Sequence, residues 1–212
     1  FNERTASRAA VALTRGSVVK VPRDRVVRMF LHWCEPEKGG YRTDIDLSVG
    51  FYSRGWQERG VCSYYNLKLL DSRGLTVAVS GGDKTSAPFP DGSSELIDLD
   101  WGLARAHGIR YAVMVVNNYA GMPFSQLDRG FAGLMLCSDA MGPHFDPRAV
   151  ELKFDLQGEN GIFLPLVFDL EEQVLHWLDV YSAGELIFNN VATSTRAITR
   201  ICPTLIDYFA TG

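Results

Sequence analysis

The chain has 212 residues, of which 46% are hydrophobic and 22% charged, enough to build a sizeable core in one large domain or two small ones. Its formal charge is −4, from 21 Lys and Arg against 25 Asp and Glu, and no basic cluster stands out. That balance argues against nucleic acid or a membrane surface as the partner. No apolar run approaches the roughly 20 residues of a membrane-spanning helix, and no signal-peptide pattern opens the chain. The expectation is a soluble, cytoplasmic protein. A start at Phe1 instead of Met suggests that an upstream part exists in a larger protein with neighbouring domains.

From Val18 to about Tyr181 the hydrophobic period is close to two, interrupted every ten or so residues by turn residues. This pattern predicts an all-β fold, a two-sheet antiparallel β-sandwich with short helical turns and a helical C-terminal tail. Strands are predicted at Val18–Val21, Val26–Cys34, Ile45–Ser53, Gly60–Tyr65, Leu75–Val79, Ser94–Leu99, Ile109–Asn117, Phe131–Cys137, Ala149–Leu156, Gly161–Phe168 and Val174–Tyr181. In the second, Val27, Met29, Leu31 and Trp33 share one face. The run Tyr111–Val116 is apolar on both faces, which predicts a mid-sheet strand. Pro165 lacks a donor for the ladder, so its strand should be an edge or carry a bulge.

Four segments have hairpin chemistry: Pro36–Gly40, Asp71–Gly74, Gln157–Gly161 and Asp169–Glu172. Ser125–Arg129 reads as a single helical turn. Thr193, Ser194 and Thr195 can cap a helix running toward Ile201, with Pro203 interrupting it and Leu205–Phe209 forming a last turn. The expected division is a sandwich over residues 1–188 and a helical segment over 189–212, packed on the sandwich or opening a further domain.

Cys34, Cys62, Cys137 and Cys202 show no Cys-x-x-Cys spacing, and they read as free thiols. His32 and Cys34 share a strand face and, with His144, could ligate a soft metal, but no spaced partner pair completes the set, and a packed or hydrogen-bonded role is favoured. His107 and His176 read as structural.

Two acidic stretches carry the strongest chemical signal. In Asp44-Ile45-Asp46-Leu47-Ser48, alternation puts Asp44, Asp46 and Ser48 on one face and Ile45 and Leu47 on the other. Two carboxylates about 4 Å apart repel by about 4 kcal/mol at an effective dielectric near 20, so a partly buried pair calls for a counter-cation. The second stretch follows a strand. Gly81-Gly82-Asp83-Lys84-Thr85 runs on to Pro90-Asp91-Gly92-Ser93-Ser94-Glu95. It offers carboxylates from Asp83, Asp91 and Glu95, hydroxyls from Thr85, Ser93 and Ser94, and carbonyls near Pro88 and Pro90, the hard oxygens that Ca2+ takes about 6–8 of. Surface turns use the same residue types. Acids at regular offsets in two separate segments nevertheless favour an ion held by Asp44, Asp46, Asp83, Asp91 and Glu95. Asp98 and Asp100 could extend this site or cap the turn near Leu103–Ala106, and the cap is favoured.

At these residues the chain resembles the TerD family, the bacterial tellurium-resistance and stress-response proteins. Leu13-Thr14-Arg15-Gly16 looks like its opening Leu-x-x-Gly, and Asp44-Ile45-Asp46-Leu47-Ser48 like its Asp-x-Asp-Leu-x-Ser strand. Tyr64-Tyr65-Asn66, Gly82-Asp83-Lys84-Thr85, the Asp91–Glu95 end of the loop and Phe124-Ser125-Gln126-Leu127 follow in family order. The resemblance implies a calcium-binding β-sandwich without established catalysis, acting through protein partners. Lys84 stands for an Asn, Ser86 for a Gly, and Ala87-Pro88-Phe89-Pro90 where glycines and carboxylates would be, which implies weaker binding and one ion instead of two.

Two competing functions were weighed. Paired acids could serve glycoside hydrolysis, but clustered acids lack the isolated apolar setting that raises one pKa. Trp56, Phe89, Trp101 and Tyr119 lie in or beside loops and, if exposed near calcium, would suit a calcium-dependent carbohydrate-binding module; packing over the sandwich ends is the simpler reading. The Gly81–Thr85 run lacks the spacing of a phosphate loop.

Overall fold

The computed structural model describes residues 13–23, 26–137, 150–158, 161–182 and 191–211. In chain order the elements are β1 (Val18–Lys20), β2 (Val26–Cys34), β3 (Asp44–Tyr52), β4 (Glu58–Cys62), β5 (Lys68–Leu70), β6 (Thr76–Ser80), β7 (Ser93–Asp100), α1 (Trp101–Ala106), β8 (Tyr111–Ala120), a 3-10 turn (Phe124–Gln126), β9 (Arg129–Cys137), β10 (Val150–Asp155), β11 (Ile162–Asp169), β12 (Val174–Ser182) and α2 (Val191–Thr211). Two antiparallel six-stranded sheets result, ordered β1-β12-β11-β8-β3-β4 and β10-β9-β2-β7-β6-β5. The expected all-β sandwich is what forms.

Each predicted strand overlaps an observed one, and only β5 was missed. Its three residues, Lys68–Leu70, lack the β-branched valines that mark the equally short β1. The Tyr111–Val116 run lies inside β8, in the middle of its sheet, where neighbours on both faces suit a two-sided apolar strand. Val27, Met29, Leu31 and Trp33 of β2 pack in the main core between the sheets with Ile45, Leu47, Val49 and Phe51 of β3. Pro165 sits in an interior strand, and the registers of β11 slip around it, between Leu164 and Leu166 against β12 and between Phe163 and Val167 against β8. Of the two options for this proline, the bulge is realised.

Only two of the four expected hairpins are hairpins. Asp71–Gly74 joins the paired β5 and β6, and Asp169–Glu172 joins the paired β11 and β12. In each, an aspartate accepts from backbone further along: Asp71 Oδ1 from Arg73 N and Leu75 N, Asp169 Oδ1 from Glu171 N and Glu172 N. The Pro36–Gly40 and Gln157–Gly161 segments cross from one sheet to the other instead. Turn residues encode a chain reversal and say nothing about which sheet receives the next strand.

α2 is a single helix through Pro203, and Thr193–Thr195 lie within its first turns rather than ahead of it. Ile198, Cys202, Leu205 and Ile206 cover Tyr52, Val61, Tyr111 and Val113 on the outer face of the β8-containing sheet, a second apolar cluster. Burying that stripe outweighs the roughly 3 kcal/mol that an interior proline costs. At the far end, Phe209 lies against Gly16, where an added Cβ would stand 2.6 Å from the ring and the backbone has φ +89°. Only glycine meets both conditions.

Candidate metal centre

β3 pairs with β8 along its whole length but with β4 only from Val49 to Tyr52. Its first half therefore has one ladder edge without a strand, and the acidic residues occupy that half. Glu95, at the third position of β7 in the opposite sheet, reaches across: its Oε2 accepts from Leu47 N at 2.8 Å. The same carboxylate takes Lys84 N on Oε1 at 2.9 Å, so one side chain ties the β6–β7 loop to the open edge of β3. A second acid does similar work from the turn after β2. Oε1 of Glu35 accepts from both Thr43 N and Ala87 N, each at 2.9 Å. Arg42 completes the attachment by donating from Nε to Thr85 O at 2.8 Å. Gly82, with φ +115°, supplies the backbone that ordinary residues rarely adopt at the loop's first bend.

This lacing brings Asp44 and Asp46 of β3 together with Asp83 of the loop, one carboxylate oxygen from each lying within 4.8 Å of the others. Asp46 is buried at 5% exposure and Asp83 is exposed. Asp44 Oδ1 is buried with no hydrogen-bond partner among the described residues, and Arg42 stands near the other oxygen, with Nη2 at 3.7 Å from Oδ2 on a largely exposed side chain. The electrostatics follow. Burial, the Asp83 charge and, in opposition, Arg42 leave the Asp44 carboxyl above its usual range. Burial and then the charges of Asp44 and Asp83 push Asp46 up to about 7. Burial also lifts Glu95 to about 8, against the two backbone donors that favour its ionised form, with Asp46 and Asp83 adding to the rise. A group of hard oxygens that cannot ionise freely without a positive charge between them is suited to a divalent cation.

Of the five residues expected to hold the ion, the structure thus assembles three. Glu95 stands beside them, and each of its oxygens accepts from a backbone N–H, which positions the loop. Asp91 is elsewhere. It is exposed and its charge acts on Arg129, whose guanidinium also donates to Pro90 O. Of the expected hydroxyl and carbonyl ligands, those of Ser93, Ser94 and Pro88 are hydrogen-bonded within the protein. Ser93 Oγ donates to Ser86 O, Ser94 Oγ pairs with His32 Nδ1, and Pro88 O accepts from Gly92 N.

The other candidates have structural roles. Asp100 caps α1, accepting from Leu103 N at 2.8 Å, whereas Asp98 neither caps nor joins the metal group. It forms a buried two-point ion pair with Arg28, at 2.6 and 2.7 Å. His32 stacks on Phe131 at 4.8 Å and bonds to Ser94, and Cys34 lies buried among carbonyls; His144 falls outside the described residues. All four cysteines are free thiols. Trp101 is fully buried and Trp56 stacks on Tyr111 at 4.3 Å, leaving Phe89 and Tyr119 as the exposed members of the aromatic set. No helix among the described residues is long and apolar enough to cross a membrane.

The fold and this loop geometry define an all-β sandwich with an acidic group at the edge where the two sheets are laced. Solved structures share that architecture. A homologue of the telluride resistance protein TerD from Streptomyces coelicolor A3(2) superposes with a TM-score of 0.55 at 11% identity, covering 81% of this chain and 99% of that one. A protein of unknown function, SAV2460, does so with a TM-score of 0.56 at 14% identity, covering 80% and 97%. The chain has a divergent TerD-like fold. Family models and curated proteins give no match to its sequence.

Proposed function

We propose that this chain is a calcium-binding, non-enzymatic interaction module of a bacterial stress-response system of the tellurium-resistance kind. The observation that carries the reading is the buried, unpartnered Asp44 Oδ1 in a trio with Asp46 and Asp83. Three carboxylates and no nitrogen or sulfur ligand favour a hard cation, and the uneven, partly open arrangement suits the adaptable 6–8 coordination of Ca2+ better than the strict octahedron of Mg2+. Three protein oxygens leave several positions to water or to a partner's oxygens. The ion neutralises the trio and fixes the Gly82–Glu95 loop against β3. The exposed aromatics Phe89, in that loop, and Tyr119, two positions along β8 from the partner of Asp46, then present a contact face to a protein partner. The shared fold with a telluride-resistance homologue supports the stress-response setting.

Thermal unfolding in excess EDTA, in millimolar calcium and in millimolar magnesium tests the reading. Saturation at about 100 times Kd stabilises by about 2.7 kcal/mol, a rise of roughly 5–11 °C in Tm for a chain of this size. The rise should be specific to calcium and absent from Asp83→Ala. Equal curves in all three buffers would refute it.

A further inference from the structure

A second feature lies three strands away across the sheet from the acidic group, where the sandwich opens between β10 and the β11–β12 pair. A cleft of about 490 Å³ occupies this opening, within the size range of small-molecule sites. Its walls are aromatic: Phe154 of β10, Phe163 of β11, and Trp177 and Tyr181 of β12. Tyr181 lies flat on Phe163, 4.0 Å between centroids and 11° between planes, and Phe154 meets the Trp177 ring at 4.7 Å. Asp155, Gln157 and Asp179 supply polar groups to the lining, and Lys153, whose ammonium lies over the Phe131 ring, adds a cation that offsets one of the two carboxylates.

Three details distinguish this cleft from a packing gap. Trp177 is 6% exposed, and its indole N–H is buried with no acceptor among the described residues. Asp179 has φ +50° in the β-bulge where Leu178 and Asp179 face Pro165, a distortion of the kind that re-aims side chains next to functional sites. The distortion is clasped from outside, since Arg15 Nη2 donates to Asp179 O at 2.7 Å. On the outer edge of β12 the backbone bonds of Trp177 to Gly16 and Ser17 continue the pairing with β1, and the part that carries Asp179 and Tyr181 lies beyond that ladder.

The geometry points to a binding site for a short neutral oligosaccharide in this cleft, independent of any metal. Sugar rings present an apolar C–H face for the aromatic walls and a rim of hydroxyls that both donate and accept. Those hydroxyls match the mixed lining here: donors on Trp177 and Gln157, acceptors on Asp155 and Asp179. An organic cation would meet the aromatic rings and the two aspartates but leave the indole N–H unmatched.

The test is an NMR titration of the purified chain in EDTA, following the Trp177 indole N–H resonance with maltotriose, cellotriose, mannotriose and chitotriose, and with choline as the cationic control. At least one saccharide should move that resonance saturably, with a Kd of about 1 mM or tighter. Calorimetry with the same saccharide should show about tenfold weaker binding for Trp177→Phe, which keeps the ring but loses the donor. Tyr181→Ala, at a partly exposed position, should weaken it as well, and Asp46→Asn should leave it unchanged. Silence from all four saccharides, or a response to choline alone, overturns the proposal whatever the outcome with calcium.

Discussion

Asp46 and Glu95 are adjacent acids given different tasks by their hydrogen bonds. Glu95 has two backbone donors and closes the loop; Asp46 lies beside the charges of Asp44 and Asp83. In the metal-free protein both carboxyls are raised in the folded state, to about 7 and about 8. The folded form therefore binds more protons than the unfolded form between about pH 4 and pH 8, and stability falls as pH rises through that window. In EDTA, denaturant unfolding of the wild type should lose stability from pH 5 to pH 8 relative to Asp46→Asn, and saturating calcium should remove most of the difference between them. Parallel pH profiles in EDTA would contradict the assigned electrostatics. Glu95→Ala strands two N–H groups, at about 1–3 kcal/mol each if both stay buried, and should destabilise even without metal, while Glu95→Gln should retain much of the stability. Equal losses in the two variants would show that the acceptors are not what matters. The grouping of Asp44, Asp46 and Asp83 was legible because alternation and a glycine turn reveal which face a carboxylate takes. The distance of Asp91 from that group was not, because nearness in sequence is not nearness around a loop whose residues turn to Arg129. Glu35 gave no signal, since its acceptor role depends on Thr43 and Ala87 arriving from different segments.

At the level of elements, the strands were readable because each shows its period or, in the short β1, a run of β-branched valines, β5 excepted. The two crossovers mistaken for hairpins show the limit of turn chemistry, which is local where sheet membership is not. α2 illustrates the same balance. Ile198, Cys202, Leu205 and Ile206 lie at offsets of four, seven and eight, a helical stripe visible in the sequence that runs straight through Pro203. The local rule for proline predicted a break and tertiary burial overrode it. Because Pro203 removes a donor from the middle of a helix held by packing, Pro203→Ala should stabilise the protein by about 1–3 kcal/mol in denaturant unfolding. A loss of stability would mean that the ring itself fills space the helix needs.

For the molecule as a whole, a shared architecture at 11% and 14% identity means that burial pattern and topology, with few particular residues, carry the fold. Locally, a loop of lysine, alanine and prolines is pinned by Glu95, Glu35 and Arg42, with the carboxylates of Asp44, Asp46 and Asp83 gathered beside it. Isothermal titration calorimetry with calcium on the wild type, Asp83→Ala and Asp91→Ala examines that arrangement most directly. One ion should bind to the wild type and to Asp91→Ala with similar affinity, and Asp83→Ala should lose it. Absence of binding at millimolar calcium, or equal loss in the two variants, would contradict the metal centre described here.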